Sequence, residues 1–282
     1  MKSKDDVYQG AGIIAKETDK ITYLYVSGLK IPRTIRVGEG IFLSPVVCDP
    51  NPDDMINCMM KNGNGSEYDL GVLISTLRYT TSEIVVIKKS GKDLAIATWN
   101  SQWTIIAISA ILNCHAMWYF QSNRSASEFG SSSNVNIVSR EIVCVPHSIR
   151  EVTEKECEFI EKAIPVVEKL EIDSRFQTAI SALWSSNMSP RPAIQAMIIW
   201  GGIESLFLIK NNIKNRLSEK ISDFLNDESL KEEVKDLYNQ RSKSVHEFSN
   251  NEEQFVKSSK MLLHRLIRKC IDSNSLPVLE DE

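Results

Sequence analysis

Paired cysteines are missing from this chain. Cys48, Cys58, Cys114, Cys144, Cys157 and Cys270 form no C-x-x-C pair, and no histidine stands beside the nearest two, Cys48 and Cys58. A structural zinc site needs four ligands in short paired spacings, so no metal is expected. The thiols read as reduced and mostly buried, which suits a cytoplasmic protein. A glycine-rich phosphate loop is missing too. Asn62-Gly63-Asn64-Gly65-Ser66 is the nearest approach; no G-K-[ST] follows it, and it reads as a turn. G-x-S-x-G and H-E-x-x-H are also absent. No cofactor is expected. Excess positive charge is lacking as well. The formal net charge of -4 argues against a surface coated in cations for duplex DNA, while leaving room for a local basic groove.

Long apolar runs are nearly absent. Trp103 to Phe120 is an uncharged stretch close to the lower limit for a membrane span. Asn113 and His115 interrupt it and no basic stop follows, so it is expected to be a buried helix and no membrane partner is expected. The charged opening Met1-Lys2-Ser3-Lys4-Asp5-Asp6 has no apolar run behind it and is not read as a signal peptide.

What is present divides the chain in two and predicts an α+β fold. Residues 1–150 read as a mixed α/β domain. Ile21 to Ser27, Thr34 to Val37, Gly40 to Val47, Leu70 to Leu77, Ser82 to Lys88 and Val135 to Val145 are rich in β-branched and aromatic residues and are expected as strands. Trp99, Trp103 and Trp118 are expected in the core. The polar stretch Gln121 to Asn136 is expected as a loop. From Thr153 onward the apolar spacing is helical. Residues 151–175 form a linking helix, with Pro165 expected to kink or split it. Residues 176–272 form an all-α bundle, with Pro192 at the first turn of a central buried helix. Residues 273–282 are expected to be a flexible tail.

The informative stretch is Tyr238-Asn239-Gln240-Arg241-Ser242-Lys243-Ser244-Val245-His246. Asn239, Ser242 and His246 share one helical face, and Arg241 lies about 140° around from His246 on an ideal helix. A guanidinium offers planar donors to phosphate oxygens. An imidazole takes or gives a proton near neutral pH. RNA supplies its own nucleophile, the 2′-hydroxyl, so such a pair needs no metal. Glu204 is the only charge between Ala193 and Ile209 and would be costly unpaired; Arg241 is its expected partner. Lys257, Lys260, His264 and Arg268 fall at helical spacing and, with Arg265 and Lys269, form a stripe that would suit a nucleic-acid backbone or a solvated face.

The string Arg241 to His246 resembles the R-x4-6-H motif of HEPN domains. The surroundings resemble the Apea-like HEPN branch, with Tyr238 before the motif and an earlier W-x-x-x-E-x-L-F helix at Trp200 to Phe207. The resemblance covers about the last hundred residues, Phe176 to Asp272. It implies a homodimer whose two Arg–His pairs face one cleft and cleave single-stranded RNA without metal, leaving a 2′,3′-cyclic phosphate. Arg241 and His246 would be catalytic, with Glu204, Ser242 and Tyr238 supporting and Lys257, Lys260 and Arg268 on the RNA. The setting it implies is antiviral defence or a toxin system, with a phage-derived or antitoxin protein as partner and residues 1–150 as sensor. A second reading stays open: a non-catalytic HEPN-like module for RNA or protein binding or dimerisation, with function housed in the N-terminal domain.

Overall fold

The computed structural model describes residues 7–10, 12–61, 66–139, 148–244 and 252–279, and the chain has an α+β fold. Two compact units are present: residues 1–106 with 114–164, and residues 107–113 with 165–282.

In the first unit the strands are β1 (Val7–Gly10), β2 (Ile13–Lys16), β3 (Ile21–Ser27), β4 (Leu29–Lys30), β5 (Ile35–Gly38), β6 (Ile41–Pro45), β7 (Thr80–Ile87), β8 (Met117–Ser122), β9 (Val135–Ile137) and β10 (Arg150–Glu151). Six of them form one antiparallel sheet in the order β5-β6-β7-β3-β8-β9. Side chains alternate between its faces. One face carries Leu24, Val26, Ile35, Val37, Leu43, Ile84 and Val86, all buried, and forms the core. Gln121 reaches from β8 to clip β2, accepting from Ile14 N at 2.9 Å and donating to Ile14 O at 2.8 Å.

Helices α1 (Pro52–Lys61), α2 (Glu67–Thr76) and α3 (Gly91–Leu112) complete this part of the chain. Several expectations change. Leu70 to Leu77 lies in α2 and its C-terminal cap, not in a strand. Ser66 caps α2 by accepting from Asp69 N, and a short apolar run is ambiguous in period until a cap decides it. The expected helix from Trp103 to Phe120 begins earlier and stops at Leu112. Asn113 then turns left-handed with φ +49°, and Met117–Ser122 becomes a strand beside β3. Helix α1 was not expected; Asn51 accepting from Asp53 N and Pro52 in the first turn were its signal. The segment expected as strand Val135 to Val145 yields β9, and residues 140–147 lie outside the described residues, as does the turn at 62–65. Helix α3 is long and apolar enough for a membrane span, and 56% of its most apolar window is buried inside the protein. Trp99 on it is exposed, not in the core.

Helix α4 (Glu154–Leu170) runs unbroken through Pro165, where the first unit gives way to the second. Burial of Ile160, Ala163, Ile164 and Val167 on either side outweighs the hydrogen bond that the proline cannot donate. The second unit holds α5 (Ser174–Ser185), α6 (Pro192–Phe207), α7 (Ile213–Leu225), α8 (Leu230–Ser244) and α9 (Glu252–Ser273). α6 is its centre, burying Ala196, Ile199, Trp200, Ile203 and Leu206. Within the expected tail of residues 273–282, one residue is anchored, and residues 280–282 lie outside the described residues. Pro277 is buried and its carbonyl accepts from Arg175 Nη1 at 3.1 Å.

Two adjacent glycines on α6 separate packing from propensity. A Cβ at Gly202 would come 2.6 Å from Ala182 Cβ, whereas at Gly201 it would meet nothing within 4 Å. Gly202→Ala is expected to lower the unfolding free energy by roughly 1–3 kcal/mol through overpacking. Gly201→Ala is expected to raise it by about 0.5–1 kcal/mol through helix propensity. Urea titration of both variants checks this; equal effects would show that α6 does not pack against α5 as described.

Candidate functional site

Two helices of the second unit build the site. α6 has Pro192 in its first turn and is mostly apolar, so it buries Ala196, Ile199, Trp200, Ile203 and Leu206. α8 is amphipathic and turns Leu230, Val234 and Leu237 inward. Each helix contributes residues one turn apart: Trp200 and Glu204 from α6, Tyr238 and Arg241 from α8. Spacings of three and four put each pair on a shared face.

The four side chains form a chain of contacts. Trp200 is fully buried and donates from Nε1 to Ser259 Oγ at 3.1 Å. Its ring meets Tyr238 edge-on, with centroids 5.6 Å apart. The Arg241 guanidinium lies 5.4 Å from the Tyr238 ring centroid and donates to its hydroxyl at 3.4 Å. The guanidinium then pairs with Glu204: Nη1 is 3.0 Å from Oε1, and Nη2 donates to Oε2 at 3.4 Å. Oε1 is buried and, although close to Nη1, has no aligned hydrogen-bond donor among the described residues.

This geometry fixes the electrostatics. Burial pushes the Glu204 carboxyl above the ordinary carboxylate range, and the Arg241 charge pulls it part of the way back. Burial wins because the pair is imperfectly aligned. The two side chains are 30% and 29% exposed. An ion pair so open to water contributes only about 0–1 kcal/mol, so its main effect is to fix where the guanidinium sits.

The expected partnership of Glu204 with Arg241 is therefore present, and Tyr238 lies against Arg241. Ser242 lies on α8, two residues before its last residue, Ser244, and His246 lies outside the described residues. Trp200, which opens the W-x-x-x-E-x-L-F segment, backs the site through its contact with Tyr238.

The basic stripe on α9 is not one open track. Lys257 is exposed. Lys260 is half-buried and donates to Asn187 Oδ1 at 2.9 Å, and burial lowers its ammonium pKa. His264 Nε2 lies 3.0 Å from the Ile111 carbonyl, which can only accept, so that nitrogen carries the hydrogen. Burial also lowers the His264 pKa. Arg268 Nη1 points to the same carbonyl at 3.5 Å. Ile111 is in the last turn of α3, where carbonyls lack helical partners and favour cations. Arg265 pairs with Asp227 at 3.1 Å. Thus Lys260 and Arg268 direct donors to acceptors within the second unit, and only Lys257 of the three is placed as expected for a phosphate contact.

Comparison with protein-family models, with curated proteins and with solved structures finds no match.

Because the Glu204 pKa is raised in the folded state, folding takes up a proton between the ordinary carboxylate value and the raised one. Stability contributed by the protonated form is thus lost as pH rises through that window. Glu204→Gln cannot ionise and escapes the loss. The melting temperature of the variant minus that of the parent is expected to grow more positive from about pH 4 to about pH 7. Calorimetry across that range tests this, and a difference that shrinks or turns negative contradicts it.

Proposed function

We propose that the second unit is a metal-independent endoribonuclease of the HEPN type, acting on single-stranded RNA with Arg241 and His246 as its catalytic residues. The observation that carries the reading is the Glu204–Arg241 pair, which holds a guanidinium at a partly open position five residues before a histidine. An arginine meant only for solvation needs no carboxylate from a second helix and no aromatic ring beneath it.

The chemistry follows from these groups. The 2′-hydroxyl of one nucleotide attacks its own 3′-phosphorus, and the bond to the 5′-oxygen of the next nucleotide breaks. The 2′-hydroxyl proton leaves to a base, and the departing 5′-oxygen receives a proton from an acid; His246 takes one of these parts. The products are a 2′,3′-cyclic phosphate and a 5′-hydroxyl. Arg241 stabilises the charge that builds on the non-bridging oxygens. Glu204 and Tyr238 hold Arg241 so that little ordering is left for the moment of reaction. Ser242 stands beside Arg241 as a small polar neighbour.

A homodimer belongs to the same reading. Ile194 and Met197 on α6 are 43% and 53% exposed. Gly201 leaves open space beside them, and Glu204 follows at the same three-and-four spacing. An apolar stripe ending at the site suits a second copy related by a two-fold axis, with two Arg241 groups meeting at the interface. The reading assigns the activity to antiviral defence or a toxin system, with a further protein partner as trigger or restraint.

With single-stranded RNA and EDTA present, Arg241→Ala and His246→Ala are each expected to slow cleavage by roughly 100-fold or more. Met197→Glu is expected to separate the dimer in sedimentation and to slow cleavage with it. If both catalytic variants cut at the parental rate while retaining the parental melting temperature, the assignment fails.

A further inference from the structure

The first unit carries a sheet face that its own helices leave partly open. The face opposite the apolar core bears, in register across four strands, Tyr23, Val85, Phe42 and Arg36. Tyr23, Val85 and Phe42 are half-buried and Arg36 is exposed. The next pair along, Ile21 opposite Ile87, is 37% and 46% exposed. In the other direction the same face closes. Tyr25, Glu83 and Phe120 are buried, and Cys58 from α1 lies near the Tyr25 hydroxyl. Burial thus falls off along one face of a single sheet, leaving two aromatic rings and flanking aliphatic groups at the open end.

Cations border this end. Arg36 stands directly opposite Phe42 across the β5–β6 ladder. Arg124 lies close enough to Tyr23 to act on its hydroxyl, whereas Lys20 and Lys88, flanking the Ile21–Ile87 pair, donate to the Lys89 and Glu39 carbonyls. Both oxygens of the nearest carboxylate, Glu83, are occupied by Ser125 Oγ and Ala126 N, each at 2.8 Å. Glu128 is the negative group that faces Tyr23 from the rim. Tyr23 and Phe42 sit two strands apart, about 10 Å by ordinary strand spacing. That leaves each ring free to take its own base, with Val85 between them.

We propose that this face is a platform for single-stranded RNA: bases stack on Tyr23 and Phe42, and Arg36 and Arg124 follow the phosphates. Aromatic rings on a pleated surface with bordering cations are the general means by which unpaired bases are held. A protein partner of matching size would instead favour a continuous aliphatic face without bordering arginines. The proposal does not rest on the reading of the Arg241 site. It gives the first unit a task of its own, the capture of RNA.

The test is fluorescence anisotropy of the full chain with a labelled single-stranded oligouridine whose 2′-positions are methylated, so that no cleavage intervenes. Tyr23→Ala and Phe42→Ala are each expected to weaken binding about ten-fold or more. Tyr23→Phe and Phe42→Tyr keep the rings and should bind within about two-fold of the parent, which separates lost stacking from lost folding. Ile74→Ala, an exposed change on α2, should leave the affinity in place. The proposal is overturned if the parent does not bind, if the Tyr23 and Phe42 alanine variants bind as well as the parent, or if Ile74→Ala alone removes binding. It is equally overturned if the Tyr23 and Phe42 alanine variants change self-association in sedimentation without RNA and leave RNA binding unaltered.

Discussion

A carboxylate on the most apolar helix of the chain has to meet a positive charge, and the architecture of the candidate site follows from that constraint. Glu204 sits on α6, whose other residues bury against α5 and α9 or face outward as Ile194, Met197 and Gly201. An unpaired carboxylate there costs several times what the pair returns. The pairing therefore sets the relation of α8 to α6, and with it the position of Arg241. Trp200 and Tyr238 fill the space beneath, and Ser259 takes up the indole N–H. Stability gains little from an ion pair this exposed. What the arrangement secures is a guanidinium with few places to go.

The α9 stripe shows the opposite use of cations. Its half-buried members turn inward to the Ile111 carbonyl and to Asn187. They complete a helix end that would otherwise hold unsatisfied acceptors. Charge at helical spacing is thus not enough to make a binding surface. The sheet face of the first unit, proposed as the platform for unpaired bases, has less charge but carries two half-buried aromatic rings.

Much of the second unit was legible in the sequence. The all-α bundle expected over residues 176–272 is filled by α5, α6, α7, α8 and α9, because amphipathic spacing and Pro192 mark it clearly. The Glu204–Arg241 partnership was legible for one reason: a lone charge in an apolar run must have a partner, and few cations stand at a suitable helical position. The first half was harder. Leu70 to Leu77 has no decisive period, and its helix depends on the Ser66 cap. The boundary between α3 and β8 depends on Asn113 adopting a left-handed backbone, which single-residue propensity does not announce. Pro165 failed to break α4 because tertiary burial on both sides exceeded the local penalty. Pro277 was lost to view because its anchor, Arg175, is about a hundred residues away.

The account's central claim is that Arg241 is held ready for a phosphate attacked by its neighbouring 2′-hydroxyl. Its most direct test is a DNA oligonucleotide carrying one ribonucleotide, incubated with the purified chain in EDTA. Scission only after the ribonucleotide, leaving a 2′,3′-cyclic phosphate, is the predicted result. Scission of the all-deoxy strand, or a product ending in a 3′-hydroxyl, would contradict it.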